Sequence, residues 1–154
     1  MKKTSKPAFL KKHPEDSDAV SRLGTDADLR RAGISWDDIP VVPDLDAQIL
    51  AIVTKQPDKL DMDTYHCGTA HCRAGWAVIL GGAKALEKRA EKAGTYQGGA
   101  HTIGAAIHIK SQPKLPTPNF FDDNEGALLD MGDRVLAGII AERRAAKRAG
   151  KEAA

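Results

Sequence analysis

The chain has 154 residues, 42% hydrophobic, 29% charged and only 5% aromatic, with a formal net charge of +2. That length suits one domain with its own core and leaves little room for two. No apolar run approaches the roughly 18 to 20 residues that cross a bilayer, and the start MKKTSKPAFLKKHPEDSD lacks the apolar stretch of about 7 to 15 residues of a secretory signal. A core drawn from Ala, Leu, Ile and Val rather than aromatics favours helices. The expected setting is the cytoplasm, where two cysteines act as thiols or ligands more often than as a permanent disulfide.

Charge is segregated along the chain. Lys2, Lys3, Lys6, Lys11 and Lys12 make a basic start, Glu15 to Asp46 carries nine acidic residues against Arg22, Arg30 and Arg31, and Arg143, Arg144, Lys147, Arg148 and Lys151 make a basic end. Residues 1–18 therefore read as a basic flexible arm, 19–141 as a single helical domain and 142–154 as a basic, Ala-rich tail. Solvated, mobile ends are the plain explanation, and charge attraction to nucleic acid or an acidic partner is the functional one.

The first helix is predicted within GTDADLRRAGI, with Thr25 as N-cap, Asp28 satisfying early backbone N–H groups and Gly33 as the stop. An extended, proline-bracketed link, SWDDIPVVP, leads to a helix over about Leu45 to Lys55, capped by Asp44 and ended by Pro57, with Leu45, Ile49, Ile52 and Val53 on its apolar face. AHCRAGWAVILGG has helical spacing and closes on Gly81 and Gly82. AKALEKRAEKAG is a second helix with outward Lys and Arg, stopping at Gly94. GGAHTIGAAIHIKSQ places Ile103, Ala106, Ile107 and Lys110 at helical offsets, although Ile103, Ile107 and Ile109 also suit a strand. Three prolines make PKLPTPNFF a loop. The last helix follows, with Asp122 as N-cap and Glu125 as capping-box partner. Its expected core stripe is Leu128, Met131, Val135 and Ile139, flanked by Leu129, Leu136 and Ile140; beyond Ala141 the stripe stops and the helix should fray or await a partner.

The chemistry lies in YHCGTAHCRAGW, Tyr65 to Trp76, which holds both cysteines and two of the five histidines. The simplest geometry makes Thr69 the N-cap and places Cys72 third in the helix, where unpaired N–H groups and the helix dipole lower a thiol pKa. Ala70, Ala74, Ala77 and Gly81 then form a ridge of small side chains that another element can approach closely. Gly75, which costs about 1 kcal/mol relative to Ala in a helix, needs a packing or ligand-access reason.

Three readings of this stretch stay open. As a metal site, Cys67, Cys72, His66 and His71 are of zinc-ligand type, but the Cys-x4-Cys spacing is not the diagnostic pair and adjacent His-Cys dipeptides hardly converge on one ion. His101 and His108, about 10 Å apart along a helix, could contribute one further ligand between them. As a nucleophile, Cys72 would use His66 or His101 as base and the helix-start N–H groups for an oxyanion. As structure, Thr69 caps, Cys72 and Trp76 pack inward one turn apart, and His66 and His71 pin the preceding turn; free cysteines are commonly buried as small hydrophobes. The structural reading is favoured.

Other stretches carry less. In FDDNEG a calcium loop fails because Phe121 would be the first ligand and Gly132 the twelfth, and YQGGAHTIG lacks the preceding strand of a phosphate loop. EKRAEK interleaves charges as a solvated face does.

The sequence Tyr65, His66, Cys67, Thr69, His71, Cys72, Ala74, Gly75 and Trp76 resembles the Trp/Tyr-His-Cys-x-Thr-x-His-Cys-x-Ala-Gly-Trp core of an uncharacterised family of small bacterial and phage proteins. PNFFDDNEGALLDM is similar to that family's downstream Pro-x-Phe-Phe-x-x-Asn-Glu element, so the resemblance spans roughly Asp61 to Met131. It implies that both motifs belong to one domain, with Phe120, Phe121 and the DDNE cap near the Cys/His turn, in a host-interaction or defence-evasion setting. The resulting expectation is a mainly α, single compact domain of about five helices with proline-rich loops and short extended segments. Its expected work is non-enzymatic binding of a protein partner, without a cofactor or a membrane; the alternatives are a thiol-dependent enzyme and a zinc-stabilised nucleic-acid-binding domain.

Overall fold

The computed structural model describes residues 17–63, 66–67 and 70–153, with side chains from Ser21 to Asp63 and from Ala70 to Lys151. Six α-helices build it: α1 Ser17–Arg31, α2 Leu45–Lys55, α3 Arg73–Leu80, α4 Lys84–Lys92, α5 Gly99–Ser111 and α6 Asn124–Ala153. A small antiparallel pair, β1 His66–Cys67 and β2 Ala70–His71, precedes α3. The mainly α expectation holds. Nearly all of the arm expected at residues 1–18 lies outside the described residues.

The central element is α5, buried at every position from Gly99 to Ile109. A helix with small or apolar residues on all sides must be enclosed, and α1, α3 and α4 enclose it. Its glycines set how closely they come. A Cβ added at Gly104 would lie 2.5 Å from the Ala74 carbonyl oxygen, so α3 and α5 cross with their backbones almost touching. The small-residue ridge of α3 meets its neighbour there, although Ala70 belongs to β2 rather than to the helix. Around this crossing Leu29, Leu45, Ile49, Val78, Ile103, Ile107 and Met131 form the main core.

The helix stops follow local sequence. At the end of α1 the Ile34 N–H donates to Leu29 O at 2.9 Å and the Gly33 N–H to Arg30 O at 3.0 Å, with Gly33 at φ +67°. This pairing places the residue after the helix in the left-handed region, which glycine adopts without a Cβ clash. The helices α3 and α4 end the same way, at Gly82 and Gly94.

The helix starts diverge from expectation, because distant groups compete for the capping residues. Thr25 is no N-cap: α1 begins two turns earlier, and the Thr25 hydroxyl donates to Ser21 O. Asp28 instead accepts from the backbone N–H groups of Tyr96 and Gln97 at 2.9 and 3.2 Å, tying α1 to the loop before α5. Asp44 sits at φ +51° and makes no side-chain cap bond; only its carbonyl accepts, from Gln48 N–H. Asp122 likewise does not cap α6. Asp123 does, accepting from Gly126 N–H at 2.7 Å, while exposed Glu125 forms no reciprocal bond among the described residues. Asn124 meanwhile accepts from Met62 N–H at 2.8 Å, so the start of α6 is fixed against the segment leading into the Cys/His motif.

The largest correction concerns α6. Ala127 and Met131 are buried, but Leu129, Leu136, Ile139 and Ile140 are 40–65% exposed and do not form the expected core stripe. The reason is length. At 1.5 Å per residue α6 runs about 45 Å and its neighbour α2 only about 16 Å, so α6 outruns the domain that could cover it. Beyond Ala141, where the apolar stripe ends, the helix continues through the basic tail to Ala153.

Candidate functional site

The Cys/His motif begins as a hairpin, with His66 opposite His71 and Cys67 opposite Ala70. Thr69 and the side chains of His66 and Cys67 lie outside the described residues. Leu60 bridges to His71 and the Asp61 N–H donates to His71 O at 3.0 Å, which holds Ala70 and His71 extended. The helix therefore starts at Arg73. Cys72, not Thr69, is the residue that caps it: its Sγ accepts from Gly75 N–H at 3.4 Å and its carbonyl accepts from Trp76 N–H at 2.9 Å.

The expected tuning of Cys72 is thereby reversed. Its sulfur is buried against Ala74, Ala105 and Phe120, and burial pushes the thiol pKa up, outweighing the downward pull of the Gly75 and Ala74 amides. The Gly75 N–H is its hydrogen-bond donor, and among the described side chains no imidazole bonds it. His71 turns elsewhere and meets Trp76 edge to face at 4.9 Å, while the Trp76 indole N–H donates to Lys59 O at 2.9 Å. Among the described residues no group of three His, Cys, Asp or Glu is placed to hold a metal. Alkylation of native protein by iodoacetamide should accordingly modify Cys72 at least about tenfold more slowly than after denaturation. Peptide mass spectrometry separates it from Cys67, and rapid labelling of native Cys72 would overturn this assignment.

Directly after the cysteine comes a residue whose importance composition does not announce. Arg73 is 1% exposed and bonds Asp46 of α2 and Asp130 of α6, each at 2.6 Å. Asp130 also takes Arg134 Nε at 2.8 Å. Partial burial would raise the Asp130 pKa, but the hydrogen bond and charge of Arg73, then those of Arg134, hold it below the usual carboxylate value. His108 lies within the same charges and is fully buried; burial and then the Arg73 cation push its pKa down to about 3, so it is neutral.

Arginines also build the neighbouring loop. The prolines of PKLPTPNFF supply no N–H, so its carbonyls look to side-chain donors. Arg22 of α1 reaches Leu115 O at 2.6 Å and Pro113 O at 3.3 Å, and Arg134 of α6 bonds Pro116 O. Clamped from both sides, the loop delivers Phe120 inward and Phe121 outward. Phe120 joins Cys72 in the small apolar cluster, as the two-motif reading expects, whereas Phe121 is 74% exposed.

Between this loop, α1 and the start of α5 opens a cleft of about 840 Å³. One wall is Phe121 stacked on His101 at 4.8 Å and 27°; Phe120 meets the same imidazole edge-on at 5.0 Å. The other side carries Tyr96, 95% exposed, and Gln97, both held by Asp28. Pro116, Pro118 and Asn119 continue the loop side, and Ser21 and Thr25 complete the rim. Among the described residues no Asp, Glu, Lys or Arg lines it. Burial lowers the His101 pKa, only partly offset by the Asp28 charge, which favours a neutral, apolar-faced ring. Ala105 and Phe120 are its floor, and Cys72 packs on the other side of that floor.

The structure thus brings together Cys72, Ala74, Phe120, Phe121 and His101, and leaves Asp122 and Glu125 at the start of α6 without the expected roles. Tyr96, Arg73 and Arg134 were not singled out by sequence, Asp28 was read only as a helix-cap partner and Arg22 only as one charge among several; the local hint to the cleft was an aromatic in the glycine-rich turn GTYQGG. Compared with protein-family models, curated proteins and solved structures, the chain finds no match in any of the three.

Proposed function

We propose that this is a cytoplasmic binding module of bacterial or phage origin that takes an uncharged, aromatic or aliphatic side chain of a partner protein into the cleft between Tyr96 and Phe121. The observation that carries the reading is a concave site with exposed aromatics on both sides and no charged side chain among its described lining residues. Burying an aromatic side chain releases about 1.5–3 kcal/mol, and interface energy concentrates at such aromatic anchors beside desolvated pockets. Asp28 holds one side and Arg22 with Arg134 the other, so little order remains to be imposed on binding. The Cys/His motif supports the floor rather than reacting: a buried thiol with a raised pKa, bonded by no base among the described side chains, argues against thiol catalysis. The uncharged lining argues against a phosphate backbone in this cleft, since nucleic acid is held by Lys and Arg. No described helix is long and apolar enough to cross a membrane.

A random dodecapeptide display library, selected against the purified full chain, tests this directly. The expected binders are enriched in aromatic, Leu or Pro residues, and lose about tenfold or more in affinity on Phe121→Ser or Tyr96→Ser, neither of which removes a core contact. An absence of binders, or binders indifferent to both substitutions, would sink the proposal.

A further inference from the structure

The helix α6 carries a second surface, unrelated to the cleft. From Leu136 to Lys151 every residue is exposed, so more than half of the helix stands clear of the domain. Its apolar residues are not scattered. At about 100° per residue, Leu128, Leu129, Leu136, Ile139 and Ile140 share one arc of roughly 120°, opposite the face that Ala127, Met131 and Arg134 turn to the core. The same arc opens on the acid Glu125, carries a second acid, Asp133, between Leu129 and Leu136, and ends on the bases Arg143, Lys147 and Lys151. Gly132 lies on it too, with open space where a Cβ would be.

Reversing the helix brings unlike ends of this face together, acidic Glu125 against basic Lys147, with Leu136 midway between them. We infer that a second copy of the chain covers this face, the two α6 helices packing antiparallel about a two-fold axis near Leu136. In that register Glu125 of one copy faces Lys147 of the other, and Ile140 of one meets the open Gly132 of the other. Such an interface is isologous, each patch meeting its own copy. A parallel pair is disfavoured, because it would set Glu125 against Glu125 and Arg143 against Arg143. The pairing also gives the free half of α6 tertiary support, which an isolated helix of this length needs to be well formed in water.

Sedimentation equilibrium of the full chain across a concentration series reads the result. The wild-type protein should sediment at twice the 16.5 kDa chain mass. Leu136→Glu and Ile140→Glu, both at exposed positions and checked for retained helicity, should be monomeric. Glu125→Lys alone and Lys147→Glu alone should weaken association about tenfold or more, while an equimolar mixture of the two should form a heterodimer of near wild-type affinity. Several outcomes overturn the inference: a wild-type monomer at all concentrations, a dimer that survives Leu136→Glu, or a dimer that ignores the charge exchange. A monomer whose stripe is protected from hydrogen exchange would assign the face to another segment of the same chain. A monomer that binds duplex DNA with steep salt dependence would assign it to nucleic acid.

Discussion

Replacing Arg73 with methionine should cost about 3–5 kcal/mol, because it leaves the Asp46 carboxylate buried without its cation. Asp46 is 2% exposed, and its second oxygen already has no hydrogen-bond partner among the described residues, so solvent cannot compensate readily. Against a typical total stability of about 5–15 kcal/mol that is a severe loss. The effect should not come from the arginine's bulk, since methionine keeps much of the apolar stem. The double variant Arg73→Met, Asp46→Leu should therefore recover a large part of it, as removing both members of a buried pair is far milder than removing one. Urea midpoints at unchanged slope provide the measurement. A single variant costing less than about 1 kcal/mol, or a double variant no better than the single, would show that the pair does not hold α2, α3 and α6 together.

Gly104→Ala is the second large effect, and its sign runs against helix propensity. Alanine is favoured over glycine by about 1 kcal/mol within a helix, yet here the new Cβ would lie 2.5 Å from Ala74 O and 2.6 Å from its Cα and Cβ. Those atoms belong to or adjoin the backbone of α3 and cannot swing aside; α3 must shift, and with it the Cys72 cap and the floor of the cleft. Overpacking of this kind costs about 1–3 kcal/mol or more, so a net loss near the top of that range is expected. Gly138→Ala on α6, where an added Cβ meets open space, is the control and should be neutral or stabilising. Thermal unfolding of the two variants side by side checks the contrast; equal shifts would refute the close crossing.

Both effects bear on the candidate site, because α5 supplies Ala105 to its floor, Cys72 and Ala74 pack behind that floor, and Arg73 links the motif to α2 and α6. The cleft is in this sense a product of the core. Residues that never line it, such as Asp28 and Arg22, fix the two sides where a partner's side chain would enter.

The parts of this molecule legible in sequence are those settled within a few residues. Leu45–Lys55 forms the expected helix because its apolar period and flanking proline are local. Gly33, Gly82 and Gly94 end their helices because a left-handed residue is needed there and neighbouring amides complete the turn. No spacing rule places Cys72 and Phe120, 48 positions apart, in one cluster.

What tertiary structure decided has one physical cause: a polar group takes the best partner in space, and that partner is often far along the chain. Thr69 was the natural cap by spacing, but the Asp61 amide claims the His71 carbonyl and keeps the chain extended until Cys72. Asp28 reads in sequence as a local helix cap and Asp46 as one acid of a charged stretch, yet one holds a loop nearly seventy positions away and the other a buried arginine on another helix. The apolar stripe of α6 is plain in its periodicity. Whether that stripe is core or surface depends on how far the neighbouring helix extends, and α2 is too short to cover it.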